Sequence, residues 1–599
     1  TIGTNNVITS ELTNFKINDL SDCVTNISEF SNSMLIGTTE HGTLSNAINN
    51  IGIGLNSLRA ITGGQNNIAI GKDALSSCTT DGSSNIAIGY DVMEDLTSGD
   101  KNTGVGNFSC EELTTGSNNT ALGYESLHTN TTGSNNVAVG YNALFSNTTQ
   151  SSCTALGYEA LKVNTGSNNT AAGYQSMVAN TTGVQNAAFG NQSLDANTTG
   201  NYNAAFGWGA LSSNTTADNN TAVGQVALLD NTTGANNTAV GRNALTNNTT
   251  ASNNTSVGSN SLDANTTGAN NAAFGSGALG ANTTASDNAA FGTNALLTNT
   301  TGTYNTALGA YALDANTTSS YLTAVGYGAL SASTGSGNTA MGYLAAANIT
   351  TGTDNVVIGQ NALNQSTTGS ENIVIGKNAA YNCTSNQNVF IGGEGCGQAV
   401  TTGAECVFIG AFAGYQLTDG SGNVLIGPSA GSAIAGSSNY NVCLGKDTGS
   451  LIGTGDNNVC LGYQANVNNI NNNNQVQLGN SSIEWLRCAQ STINTFSDRR
   501  DKKDIVDSID GLNIINAIKP RKFTWQSRKP DARDGSTQLG FIAQEIDEVL
   551  GDKNDYIRMV DKSNPDSLHI GEARLIPIFV KAIQELSAEV EQLKSQLNN

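Results

Sequence analysis

The stretch Asn237-Thr238-Ala239-Val240-Gly241-Arg242-Asn243-Ala244-Leu245, closed by Asn248-Thr249-Thr250, decides the fold of most of this chain. Its opening pentad returns one period upstream, ending at Gly224, and one period downstream, ending at Gly258. Followed in both directions, the pattern Asn-(Thr/Val/Ala/Ile)-(Ala/Val)-(aliphatic or Phe)-Gly runs from Gly54 to Gly479 in 26 units. Intervals are 16 to 18 residues with a mean of 17, and Gly37 lies one period further upstream. A fixed period of this kind marks a repeat architecture. β-Branched, Asn and Gly residues are too dense for a helix. Two short extended pieces and a turn fit the spacing, with Asn and Gly at the corners because both accept left-handed backbone. A unit this short cannot enclose a core, whereas stacked units bury positions such as Val240 and Leu245 against their neighbours. The expectation is a mainly β protein dominated by a long β-solenoid or β-roll rod. At ~4.8 Å per rung the stack would be on the order of 120 Å long.

The Asn four residues before the glycine is present in 22 of the 26 units, the exceptions being Cys153, Leu322, Cys406 and Gln475. That regularity suits a ladder of side-chain amides from rung to rung. The residue four after the glycine is Leu in most units from Leu58 to Leu363, then Ala380, Cys396, Gly414, Gly431 and Gly449. The cross-section is therefore expected to change near residue 365, giving Leu-type repeats over 37–365 and Val/Ile-type repeats over 366–480. Residues 1–36 form an attachment or pre-repeat segment with a weak strand pattern at Ile2 to Ile8.

Composition changes sharply near Ser497. Residues 1–496 hold 9 Lys+Arg and 29 Asp+Glu, against 16 and 18 in residues 497–599; 63 of the 68 glycines precede the boundary and four of the five prolines follow it. The chain of 599 residues is 38% hydrophobic and 12% charged, which disfavours an ordinary globular enzyme. Three histidines (His41, His128, His569) leave little material for His-based catalysis, zinc or haem, so neither cofactor nor metal is expected. A net charge of −22 argues against a phosphate-backbone binder, so nucleic acid is not an expected partner. No apolar run approaches the ~20 residues of a membrane span, and no signal peptide is visible. The chain opens on Thr1 instead of Met, which leaves a removed leader open.

The repeats over roughly 37–480 resemble those of trimeric β-roll heads in autotransporter adhesins and of phage or giant-virus fibres. The resemblance implies three chains about one axis. The pairing of a small Ala two before the glycine (Ala121, Ala222, Ala239) with a bulkier neighbour points the same way, since it gives two apolar faces that a lone coil would not need.

After a linker over 481–496, the run Ser497-Asp498-Arg499-Arg500-Asp501-Lys502-Lys503-Asp504-Ile505 is followed by Ile515-Asn516-Ala517-Ile518-Lys519-Pro520, Phe523-Thr524-Trp525 and Gly540-Phe541-Ile542-Ala543-Gln544-Glu545-Ile546. This order closely resembles the self-cleaving intramolecular chaperone domains that end phage tailspikes, endosialidases and neck appendages, found also in a membrane-bound myelin regulatory factor. The resemblance implies a small α+β domain over 497–578. It also implies a catalytic dyad of Ser497 and Lys502 and a cut between Phe496 and Ser497. Lysine can take the serine proton only as a neutral amine, a form favoured by burial or by neighbouring cations, here Arg499, Arg500 and Lys503. A five-residue offset separates side chains by ~140° on an α-helix, so Ser497 should precede the helical or turn segment bearing Lys502. Lys503 competes for the role of base, and Ser-Asp before a charged run also reads as a helix N-cap. Asp498, Arg500, Gln544 and Glu545 are candidate supports of the dyad or of an interface, although Gly540 to Glu545 also reads as plain core.

The tail over 579–599 carries Ile583, Leu586, Val590, Leu593 and Leu597 at spacings of 3, 4, 3 and 4, a short coiled-coil seam that would align three chains. The ten cysteines form no Cys-x-x-Cys pair; Cys443 and Cys460, one period apart, read as small buried apolar groups. Turn chemistry accounts for the Asn-Thr-Thr sequences without sugar. Together these features point to a homotrimeric virion fibre or tailspike whose only enzymatic activity is self-cleavage. Its other expected partners are a virion protein at the N-terminus and a host-surface receptor or glycan. A cellular surface adhesin using the same maturation domain is the alternative; a carbohydrate-cleaving spike and an ice-binding solenoid fit less well.

Overall fold

The computed structural model describes residues 23–25, 32–37, 46–79, 81–467, 471–483, 497–526, 535–562 and 568–598. Ile2 to Ile8, Cys488 and Phe496 lie outside them. The chain divides into two compact units, Thr1–Thr368 and Gly369–Asn599.

In the first unit, twenty three-residue strands follow one another from Met34–Ile36 to Val356–Ile358. Each pairs in parallel with its successor, as in Thr238↔Thr255, Ala239↔Ser256 and Val240↔Val257. The first rung is paired on its other side too, because Cys23–Thr25 runs antiparallel to Met34–Ile36 and occupies the hydrogen-bonding edge of that strand. In the second unit, seven strands of the same parallel kind run from Ile373–Ile375 to Val476–Leu478. The protein is mainly β, a solenoid of roughly 17-residue coils, as the period predicts.

Only one piece of each coil is extended. Gly241 (φ +138°), Asn243 (+56°) and Leu245 (+53°) are all left-handed, and this alternation winds the expected second strand into a tight corner. The corner still bonds from rung to rung, with Asn243 N donating to Gln225 O at 3.1 Å and Leu245 N to Ser261 O at 3.1 Å. Gly241 is required twice over: its φ suits glycine, and a Cβ there would sit 2.5 Å from the carbonyl oxygen of Gly258 in the next rung.

The strands alternate strictly, which corrects one expectation. Ala239, not Val240, points into the coil and is fully buried; Thr238 and Val240 flank it on the outer face. Leu245 is fully buried from the corner. The interior is thus a small strand residue facing a large corner residue. The later coils exchange these sizes. Phe390, Phe408 and Leu425 take the central strand position, while the corner residues are Gly397, Gly414 and Gly431, where a Cβ would lie 2.6, 2.3 and 2.7 Å from those side chains. Gly397 (φ +58°), and not Cys396, is therefore the counterpart of Leu363. The extra Gly393 shifts the count by one, leaving Cys396 equivalent to the buried Ala413.

The amide ladder holds, and a second one accompanies it. Asn237 Nδ2 donates to Ala251 O at 2.9 Å, and its Oδ1 accepts from the backbone N of Asn254 at 2.9 Å, so each buried amide ties two rungs. Seven residues after the glycine, Asn130 to Asn316 form another buried column, in which Asn248 Nδ2 donates to Asn231 Oδ1 at 2.8 Å and to Ala251 O at 3.0 Å. Except for Asn164, which Thr165 and Gly166 follow, these are the Asn of the Asn-Thr-Thr sequences, and in the folded coil their side chains are buried. All eight cysteines with described side chains are buried and free; Cys443 and Cys460 align in register as neighbours. Burial pushes the Cys78, Cys110 and Cys396 thiols up to about 12.

The C-terminal domain begins with a 3-10 turn, Arg499–Asp501, followed by helices α1 (Leu512–Ala517), α2 (Ala543–Leu550), α3 (Asn554–Ile557) and α4 (Leu575–Leu597). Two antiparallel pairs complete it, Arg521–Thr524 with Thr537–Gly540 and Val560–Asp561 with His569–Ile570. Ile514, Ile518, Ile546, Leu550, Met559, Val560, Leu575 and Ile578 form its core. Helix α4 starts before the expected tail because Leu575, Ile578 and Ala582 are its docking face; Pro577 is tolerated in its first turn. Glu585 Oε2 accepts from Leu512 N at 2.7 Å and so caps α1 from α4.

Candidate autoprocessing site

Asp498 sets the local conformation at the start of this domain. Its Oδ1 accepts from Arg500 N at 2.8 Å, capping the turn Arg499–Asp501. Its carboxylate also holds the Arg500 guanidinium (Nη2 to Oδ2 2.5 Å), and this contact keeps the carboxyl below its ordinary range. Lys502 N donates to Arg499 O at 3.2 Å and closes the turn. The chain is folded back on itself, and Lys502 Nζ comes 2.6 Å from Ser497 Oγ. Ser497 thus precedes the turn and Lys502 follows it, which brings together two side chains that a continuous α-helix would separate. Asp498 and Arg500 act on the turn. Lys503, the competing base, has no hydrogen bond to Ser497 among the described contacts.

A serine hydroxyl at this distance from an amine can serve as a nucleophile if the amine is neutral and accepts its proton. In the single chain Ser497, Lys502 and Lys503 are exposed to water. The segment that follows is apolar and unpacked, with Ile505, Val506 and Ile509 exposed by 57, 85 and 83%. It ends at Asp510, which is buried and bonded to both Lys553 and Tyr556; the Lys553 contact keeps its carboxyl below the ordinary range.

Glu545, on the first turn of α2, accepts at Oε2 from Arg521 Nε at 2.9 Å. Gln544 lines an open cleft with Phe523, Trp525, Phe541 and His569. Their described contacts run within the domain, not to Ser497 or Lys502. The seam residues Ile583, Leu586, Val590, Leu593 and Leu597 of α4 are exposed by 64, 51, 41, 56 and 84%. No short-range sequence pattern announced the Asp510–Lys553–Tyr556 network or the Glu585 cap, because their partners lie 43, 46 and 73 residues apart.

Residues 497–554 match the family model described as chaperone of endosialidase. The match opens at Ser497 and contains the turn, α1, the first strand pair and α2 of the chaperone domain. No curated protein matches the chain. A chaperone-of-endosialidase domain behind a β-solenoid fits a tailspike-like fibre that carries an intramolecular chaperone. Among the described residues, no helix is long and apolar enough to cross a membrane, and no cluster of His, Cys, Asp or Glu could hold a metal ion.

Proposed function

We propose that the chain is a homotrimeric fibre of a virion, and that its chaperone domain aligns three copies and then cuts itself from the rod between Phe496 and Ser497. The contact between Lys502 Nζ and Ser497 Oγ carries this reading. With Lys502 neutral, its amine takes the Ser497 hydroxyl proton and Oγ adds to the Phe496 carbonyl carbon. The Phe496–Ser497 C–N bond then breaks as Lys502 returns the proton to the leaving amine. Water hydrolyses the resulting ester. The balance is one water consumed and two chain ends formed.

Exposure of the site in the single chain supports a coupling to assembly. Three α4 seams that bury one another also bring three copies of Ile505, Val506 and Ile509 together, and loss of water around Lys502 favours its neutral form. A parallel stack with near-identical rungs has many pairings of similar energy, so alignment from one end removes a slow search. Cutting afterwards makes the assembled rod kinetically hard to unfold, because the aligning element has left. The N-terminal segment would attach to another virion protein, and the rod would reach a host-surface receptor or glycan.

The test is expression of the full chain with Ser497→Ala, Lys502→Ala and Lys503→Ala. The first two should stay full length and the third should be cut. Efficient cutting in either of the first two would remove the dyad.

A further inference from the structure

The outer face of the strands is apolar in the rungs of both units. The residue before each glycine is Ile, Val, Leu, Phe, Met or Ala from Ile36 to Leu478, and the residue two earlier is Thr, Ala, Val, Ile or Met. Ile53, Leu122, Leu156, Phe206, Val223 and Leu308 are exposed by 37, 38, 42, 41, 38 and 51%. No charged residue occupies either position in any parallel strand, although the chain carries a net charge of −22. The other sides of the coil present Thr, Asn, Ser and charged residues, interrupted by exposed rings such as the stacked Tyr124, Tyr141, Tyr158 and Tyr174.

We propose that this strand face is where one copy of the chain packs on the others, parallel and in register. The proposal rests on the trimeric reading above and specifies the surface that joins the copies. Three observations select a second copy as the occupant. A row that repeats once per rung can be matched along its length only by a partner with the same rung spacing, which this chain supplies. A face without charge is also where copies of a strongly acidic chain approach with least repulsion. Area suffices as well: three residues across and one rung high gives about 50 Å² per rung, so the twenty strands of the first unit offer on the order of 1,000 Å². Shared between the two neighbours in a trimer, that is about 500 Å² from each copy and about 1,000 Å² per interface, the area at which specific interfaces begin. Parallel alignment also agrees with α4, whose exposed seam would join copies in the same direction.

The experiment places single cysteines in the full chain and treats the purified protein with a short bis-maleimide, the parent protein giving the background from native thiols. Val223→Cys lies on the strand face and Asn247→Cys on the exposed corner. Under threefold symmetry one link joins two of three copies, so about two thirds of Val223→Cys chains should run as dimers on a denaturing gel, with Asn247→Cys at background. Light scattering on the same samples separates the two claims. A trimer that links only through Asn247→Cys would overturn the strand face and leave the trimer standing. A monomer would overturn both.

Discussion

Leu245→Gly tests the size exchange inside the coil. Leu245 is fully buried at a left-handed corner (φ +53°) opposite Ala239. Removing its side chain forfeits roughly 3 to 4 kcal/mol of burial and contact. Glycine relieves about 1 kcal/mol of backbone strain, leaving a net loss of about 2 to 3 kcal/mol. In a stack of coils the loss is local, so the assay is hydrogen exchange of rung amides followed by mass spectrometry. Peptides covering 238–262 should exchange about 30- to 150-fold faster, at 1.4 kcal/mol per factor of ten, with distant rungs unchanged. The double variant Ala239→Leu with Leu245→Gly recreates the pairing that Leu425 and Gly431 already make. It should recover most of the protection. If the double variant exchanged faster than Leu245→Gly alone, interior volume would not be what links the two positions.

Gly414→Ala should destabilise its rung by about 2 to 4 kcal/mol, since the new Cβ meets the Phe408 ring at 2.3 Å and φ is +62°; exchange of peptides around 406–425 reads it. Asn248→Ala leaves the buried Asn231 Oδ1 without its amide donor and Asn265 Nδ2 without its Asn248 Oδ1 acceptor, while Ala251 O keeps Asn237; it should cost about 2 kcal/mol in its own coil, whereas exposed Asn247→Ala should be silent by the same measurement. Asp510→Asn removes the charge that Lys553 and Tyr556 engage and should lower chaperone-domain stability by about 1 to 3 kcal/mol in denaturant titrations. Because the folded carboxyl of Asp510 lies below its unfolded value of about 3.9, its contribution is fully present above that value and fades as pH falls through the folded one. The stability gap between the parent and Asp510→Asn should accordingly close in acid and hold at pH 7. Leu586→Asp with Val590→Asp, both on the exposed side of α4, should leave the chaperone domain folded, abolish association by light scattering and slow self-cleavage at least tenfold.

The period was legible because every coil must return the chain to the same place, and glycine is forced wherever the next rung's carbonyl fills the space of a Cβ. The first amide ladder was legible for the same reason. The corner was not: Asn243-Ala244-Leu245 alternates like a strand in sequence, and only the left-handed φ of Asn243 and Leu245 reveals the bend. Nor was the facing of Val240, since Ala and Val are both apolar and the pattern alone does not say which of two apolar faces closes the coil. The second ladder hid in Asn-Thr-Thr, whose composition reads as surface turn. In the chaperone domain, Ser497 and Lys502 stood out through their motif, but the means of bringing them together lies in the cap that Asp498 places on one turn. Pairs such as Glu585 with Leu512 depend on tertiary packing and leave no local trace.

Native mass spectrometry of the purified full-length gene product tests the central claim most directly. The account predicts three rod chains held together, each ending at Phe496, and a separate fragment Ser497–Asn599 of 103 residues, with Ser497→Ala giving three intact chains. A single uncut chain from the parent sequence would contradict it.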